Sequence, residues 1–163
     1  MSKLTLEHIA PYLPYGLKVH TGFDIRTMVD EITSVNQVNN SLLIQFVTSK
    51  QCKPILRKMD LAKTITIDEK EVTPILELAN ICSGSYDWTL FCGKAVRGRD
   101  VISKEIFNYE NGDFYFYDKI EQYHVNNQLA LFKWLYANKF DVEGLIDSGL
   151  AVDVETLETN PYE

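Results

Sequence analysis

Apolar and polar positions split the chain into many short alternating runs and one long run with helical spacing. The helical run lies at His124–Leu157, HVNNQLALFKWLYANKFDVEGLIDSGLAVDVETL. Asn126 or Asn127 is placed to cap a helix, because an Asn oxygen accepts from a first-turn N–H. Around that helix Asn126, Ala130, Lys133 and Ala137 fall on one narrow stripe. Leu129, Leu131, Phe132, Trp134, Leu135 and Tyr136 cover the rest of the circumference, the pattern of a helix buried on several sides. The helix is expected to stop near Asn138–Phe140. Asp141 then caps a shorter helix, Val142–Ser148, with Gly149 just past its end. Beyond it Leu150, Val152 and Val154 alternate with Ala151, Asp153 and Glu155, as in a half-buried strand facing inward with the first set.

The remainder reads as hairpins. Leu4–Ala10 suits a turn or two of helix, and Pro11 and Pro14 favour an extended, turn-rich segment to Gly16. Leu17–His20 is a short strand, and Ile32–Val47 a hairpin around Asn39-Asn40. Ile65 and Ile67 lead through a turn at Glu69-Lys70 to Val72, and Pro74 opens a helix. Trp88–Arg97 reads as one strand bent at Gly93. The Asn111-Gly112 pair marks a type I′ hairpin turn. Its register sets Glu110 opposite Asp113, Tyr109 opposite Phe114 and Phe107 opposite Phe116. Phe107, Tyr109, Phe114 and Phe116 then share the face that buries against the long helix, and Tyr115 and Tyr117 lie on the other. The fold expected is α+β: antiparallel hairpins forming a curved sheet packed against a C-terminal helix pair, in a single domain spanning residues 1–163.

Composition adds compartment and charge. The chain has 163 residues, of which 45% are hydrophobic and 24% charged, a balance ordinary for a globular protein. No apolar run is long enough to span a bilayer, so no membrane partner is expected. The N-terminus lacks the features of a secretory leader. Three irregularly spaced cysteines, Cys52, Cys82 and Cys92, suit a reducing cytoplasm rather than a disulfide framework. The net charge is −7, and its excess lies in residues 141–163, which carry Asp141, Glu143, Asp147, Asp153, Glu155, Glu158 and Glu163 and no basic residue. Those acids form either a solvated surface with a frayed tail from about residue 156, or an acidic face for a basic partner.

Three segments carry a resemblance: LTLEHIAPYLPYGLK at 4–18, KPILRKMDLAKTI at 53–65 and NNQLALFKWLYANKFDVEGLIDSGLAVDVETL at 126–157. They resemble small uncharacterised proteins of phages and prophages of gut Bacteroidales. The resemblance implies an accessory protein of a mobile element in a bacterial cytoplasm, and brings no activity or cofactor with it.

Candidate chemistry is sparse. His8, His20 and His124 belong to no metal-binding spacing, and no Cys-x-x-Cys occurs. No catalytic, cofactor-binding or metal-binding residue is assigned and no cofactor is expected, although a Cys92–His124 pair would be the nucleophilic candidate. Gly93–Arg99 sets Lys94, Arg97 and Arg99 among glycines, a strand leading into a charged turn or, alternatively, a phosphate cradle. With Lys53, Arg57 and Lys58 these cations could form a basic patch beside Tyr115 and Tyr117, suited to single-stranded nucleic acid. The acidic alternative is a surface of Asp141, Glu143, Asp147, Asp153 and Glu155. The preferred expectation is a non-enzymatic accessory protein that binds another protein. A nucleic-acid-binding module and an enzyme of unrecognised type are the alternatives, and a homodimer through a hairpin edge is a further option.

Overall fold

The computed structural model describes residues 4–21, 28–31, 52–83, 87–93, 95–98, 105–117 and 121–163. The hairpin expected around Asn39-Asn40 lies outside them, as do Lys94 and Arg99. Helices and several largely antiparallel sheets give an α+β fold. The chain forms two compact units: Met1–Met59 with Leu135–Tyr162, and Asp60–Trp134 together with Glu163. The division falls inside the long helix.

In the first unit, α1 (Leu6–Ile9) begins at Thr5, whose main-chain N–H donates to His8 Nδ1 at 3.0 Å. Ala10–Tyr15 then forms a 3-10 helix rather than the extended segment expected. The fixed backbone angle of proline is compatible with a 3-10 turn as well as with extended chain, so Pro11 and Pro14 do not prevent it. Strands β1 (Lys18–Thr21), β2 (Met28–Glu31) and β3 (Cys52–Leu56) pair antiparallel, with β1 central to them. Leu4, Ile9, Tyr12, Leu17, Val19, Leu56, Leu145 and Ala151 form its core.

The second unit begins with the hairpin β4 (Ile65–Ile67) and β5 (Lys70–Val72). Its turn is Asp68-Glu69, one residue earlier than expected, with both residues at positive φ as a type I′ turn requires. Helix α2 (Pro74–Ser83) opens on its proline and buries Ile75, Leu78 and Ala79. The segment read as one bent strand is a hairpin, β6 (Trp88–Phe91) and β7 (Ala95–Gly98), turning at Cys92-Gly93. Strands β8 (Ile106–Glu110), β9 (Asp113–Tyr117) and β10 (Gln122–His124) complete a five-stranded antiparallel sheet ordered β10-β9-β8-β7-β6.

The β8–β9 register is the one the Asn-Gly turn dictates: Glu110 with Asp113, Tyr109 with Phe114 and Phe107 with Phe116. On the inner face the ring of Phe107 lies 5.5 Å from that of Phe114 and 5.4 Å from that of Phe116. Trp88 extends this row from the far edge. Helix α3 (Gln128–Ala137) covers Phe114 with Phe132, ring centroids 5.7 Å apart. The Gln128 amide accepts from Phe114 N at 3.2 Å and donates to Phe114 O at 2.6 Å. It thereby continues the ladder past the end of β10. Leu131 and Leu135 are fully buried, but Leu129, counted with the apolar face, is 68% exposed.

After α3 the structure departs from the expected helix pair. Val142–Ser148 is a run of turns, interrupted by Gly144 at φ 68°. Asp141 nevertheless acts as the expected cap, its two oxygens accepting from Leu145 N at 2.8 Å and Ile146 N at 2.7 Å. The final strand shrinks to β11 (Val152–Asp153), which pairs parallel with β3. The expected alternation holds at Val154, which is buried, and Glu155, which is exposed, but fails before them. Ala151 and Asp153 are buried while Leu150 and Val152 are only partly covered. Pairing with β3, not the local pattern, decides which side faces in.

Candidate functional site

The outer face of the five-stranded sheet is built by alternation along each strand, opposite the packed aromatic row. Register places Thr89, Arg97, Ile106, Tyr117 and Gln122 in one line across it, with Asn108, Tyr115 and His124 in a second. The Tyr115 ring sits 6.5 Å from that of Tyr117 and 4.7 Å from that of His124. Arg97 lays its guanidinium over the Phe91 ring, 3.8 Å from the centroid, a desolvated cation–π contact. Its Nε has no hydrogen-bond partner among the described residues.

Two carboxylates border this face. Tyr117 donates its hydroxyl to Glu110 Oε2 at 3.1 Å, and Tyr115 to Asp113 Oδ2 at 3.4 Å. Both phenols are held above their ordinary pKa, by local desolvation first and then by these carboxylates. The surface is therefore aromatic, polar and locally acidic. Tyr115, Tyr117, Asn108 and Asp113 are partly exposed, and Glu110 and His124 are exposed.

The other residues singled out from the sequence fall elsewhere. Lys53, Arg57 and Lys58 belong to the first unit, Arg97, Tyr115 and Tyr117 to the second. Arg57 is buried, its main chain clamped between Lys139 O and Asp141 N at 2.7 Å each. Lys58 reaches Asp153 at 3.6 Å. Of the acidic set, Glu143, Asp147 and Glu155 are exposed. Asp141 and Asp153 are buried instead, because each oxygen-rich side chain satisfies its own turn: Asp141 as above, and Asp153 by accepting from Glu155 N at 3.1 Å. Cys92 sits in the β6–β7 turn and His124 on β10, at opposite edges of the sheet. At least three strand spacings, about 14 Å, separate them, so they form no nucleophilic pair. Among the described residues no cluster of three or more His, Cys, Asp or Glu could hold a metal ion. No helix there is long and apolar enough to cross a membrane.

Sequence reasoning missed the role of the last residues. Tyr162 donates its hydroxyl to Ile55 O at 2.8 Å and accepts from Lys18 N at 3.1 Å. Lys18 Nζ donates to Pro161 O, and Lys139 Nζ stands 5.1 Å over the Tyr162 ring. This stretch is anchored, not frayed. The available signal was a lone aromatic after Asn160-Pro161, amid acids.

Comparison of the chain with family models, curated proteins and solved structures finds no match.

Proposed function

We propose that the chain is a non-enzymatic accessory protein of a phage or other mobile element, working in a bacterial cytoplasm by binding another protein. The observation that carries this reading is the outer sheet face: Tyr115, Tyr117, His124, Phe91 and Arg97 bordered by Glu110 and Asp113. Tyr, Phe and Arg are the residues that protein interfaces favour, since each gives large contact area with a polar end. The carboxylates that engage the two phenols repel a phosphate backbone and attract a Lys or Arg. The partner is therefore a protein segment presenting a basic side chain to the aromatic pair. The resemblance of residues 4–18, 53–65 and 126–157 supplies the biological setting.

A tagged pull-down from a bacterial host, with nuclease treatment, tests it. The expected result is a stoichiometric protein whose direct binding is lost in Tyr117→Ala and Glu110→Lys variants of unchanged fold. Retention of the partner by both variants, with loss on charge reversal of Glu143, Asp147 and Glu155, would move the surface to the first unit. The second reading, single-stranded nucleic acid, is favoured by Arg97 sharing a face with two tyrosines. It requires oligonucleotide affinity that falls with salt and with Tyr117→Ala.

A further inference from the structure

Among the described residues strand β10 is an edge of the five-stranded sheet, and Gln122, Tyr123 and His124 are all exposed. Val125 N donates to Phe114 O at 3.2 Å, which fixes the phase of the β9–β10 ladder. Tyr123 opposite Phe116 is then an inward-bonding pair, and the main-chain N–H and C=O groups of Gln122 and His124 point away from β9. Open edges of this kind are normally blunted by a charge, a proline or a bulge. The three β10 residues include none of these. The opposite edge, β6, has α2 beside it, with Trp88 Nε1 donating to Ser83 Oγ at 2.9 Å.

We infer that the β10 edge pairs with β10 of a second copy of this chain, antiparallel about a two-fold axis through Tyr123. The edge is self-complementary in that register. Gln122 of each copy meets His124 of the other, and the outward main-chain groups of those two residues form four hydrogen bonds across the axis. Glu121 meets Val125, so no like charges face each other. Tyr123, 40% exposed, has its ring 5.8 Å from Phe116, and its hydroxyl donates to Glu105 at 3.0 Å. Two such rings meet at the axis and extend the aromatic row from one sheet into the next. Leu129, in the helical turn that Gln128 ties to β9, is the other large exposed apolar side chain of this region. A contact of three residues per copy is small, so the dimer is weak, with dissociation in roughly the micromolar range or above.

Sedimentation of the full chain over a concentration series, with three variants, tests this. Wild type is expected to show a reversible monomer–dimer equilibrium. His124→Pro removes an outward N–H without touching the β9 ladder, and is expected to weaken dimerisation at least about tenfold with unchanged circular dichroism. Tyr123→Cys places two thiols at a non-hydrogen-bonded pair, with Cα atoms about 4.5 Å apart, within disulfide reach. It is expected to cross-link under mild oxidation far faster than wild type or Asn126→Cys treated alike. A wild type that stays monomeric at the highest soluble concentration overturns the inference. So does a folded His124→Pro that dimerises like wild type. Should His124→Pro not fold, Gln122→Lys, which sets charge on the edge, takes its place under the same criteria. Tyr117→Ala, which tests the partner face, leaves the edge intact and separates the two proposals.

Discussion

Two phenols, one buried and one half-buried, hold distant parts of the first unit together. Tyr12 donates to Phe140 O at 2.8 Å and accepts from Val142 N at 3.2 Å, and Tyr162 bridges Lys18 and Ile55 in the same manner. Burial raises both pKa values, that of Tyr162 to about 12 from 10.0. A raised value means the neutral form is favoured in the fold. Both contributions are whole below pH 10; that of Tyr162 is lost as pH rises through about 12, and that of Tyr12, raised further, at still higher pH. Tyr162→Phe leaves the Lys18 N–H without its acceptor, and is expected to cost about 1–3 kcal/mol in urea unfolding at neutral pH. It should also flatten the alkaline loss of stability, and an unchanged alkaline limb would count against the bridge. Asp141 behaves as the acid counterpart. Its pKa is raised from 3.8, by burial first, against the backbone donors of Ile146 and Leu145. Its contribution is therefore greatest below 3.8 and falls as pH rises through the raised value. The stability advantage of wild type over Asp141→Asn is expected to widen as pH is lowered through that window, measured by denaturation at several pH values.

Elements differ in how far local sequence specifies them. The β8–β9 hairpin was legible because Asn111-Gly112 supplies positive φ at both turn positions, 54° and 87°, and register follows from turn length. No atom lies within 4 Å of a Cβ built on Gly112. Gly112→Ala should therefore cost only the strain of a Cβ at positive φ, about 1–2 kcal/mol, in chemical denaturation. A larger loss would mean that packing also matters there. The core positions of α3 were legible from periodicity, yet Leu129 was not distinguished from Leu131, since both sit on a mostly apolar helix. β11 was illegible for a different reason. Its inward face is set by parallel pairing with β3, about a hundred residues earlier, a choice that alternation alone cannot make. The candidate site was half legible. Register placed Tyr115 and Tyr117 together, but nothing local revealed that Glu110 and Asp113 would take their hydroxyls. Asp141 and Asp153 read as surface because carboxylates usually are, whereas turn donors draw these two inside.

At the scale of the whole chain, the second unit is, Glu163 apart, one continuous stretch, and the first is made of two stretches on either side of it. This connectivity has a mechanical consequence. The second unit closes its own sheet from sequential hairpins, with Trp88, Val96, Phe107, Phe114 and Leu131 buried within residues 60–134. Its contacts are mostly local, which favours autonomous folding. The first unit instead needs β11 beside β3, Phe140 bridged to Arg57, and Tyr162 seated at Ile55, all from the far side of the insertion. A fragment of residues 60–137, which keeps α3 entire, is expected to unfold cooperatively and to retain near-ultraviolet dichroism from Trp88 and its aromatic neighbours. A fragment of residues 1–59 is expected to show neither property, because it lacks every one of those closing contacts. A molten 60–137 fragment would show that the second unit draws its order from the rest of the chain. A folded 1–59 fragment would show that the contacts made by Leu135–Tyr162 are accessory to a core that β1 and β3 complete without them.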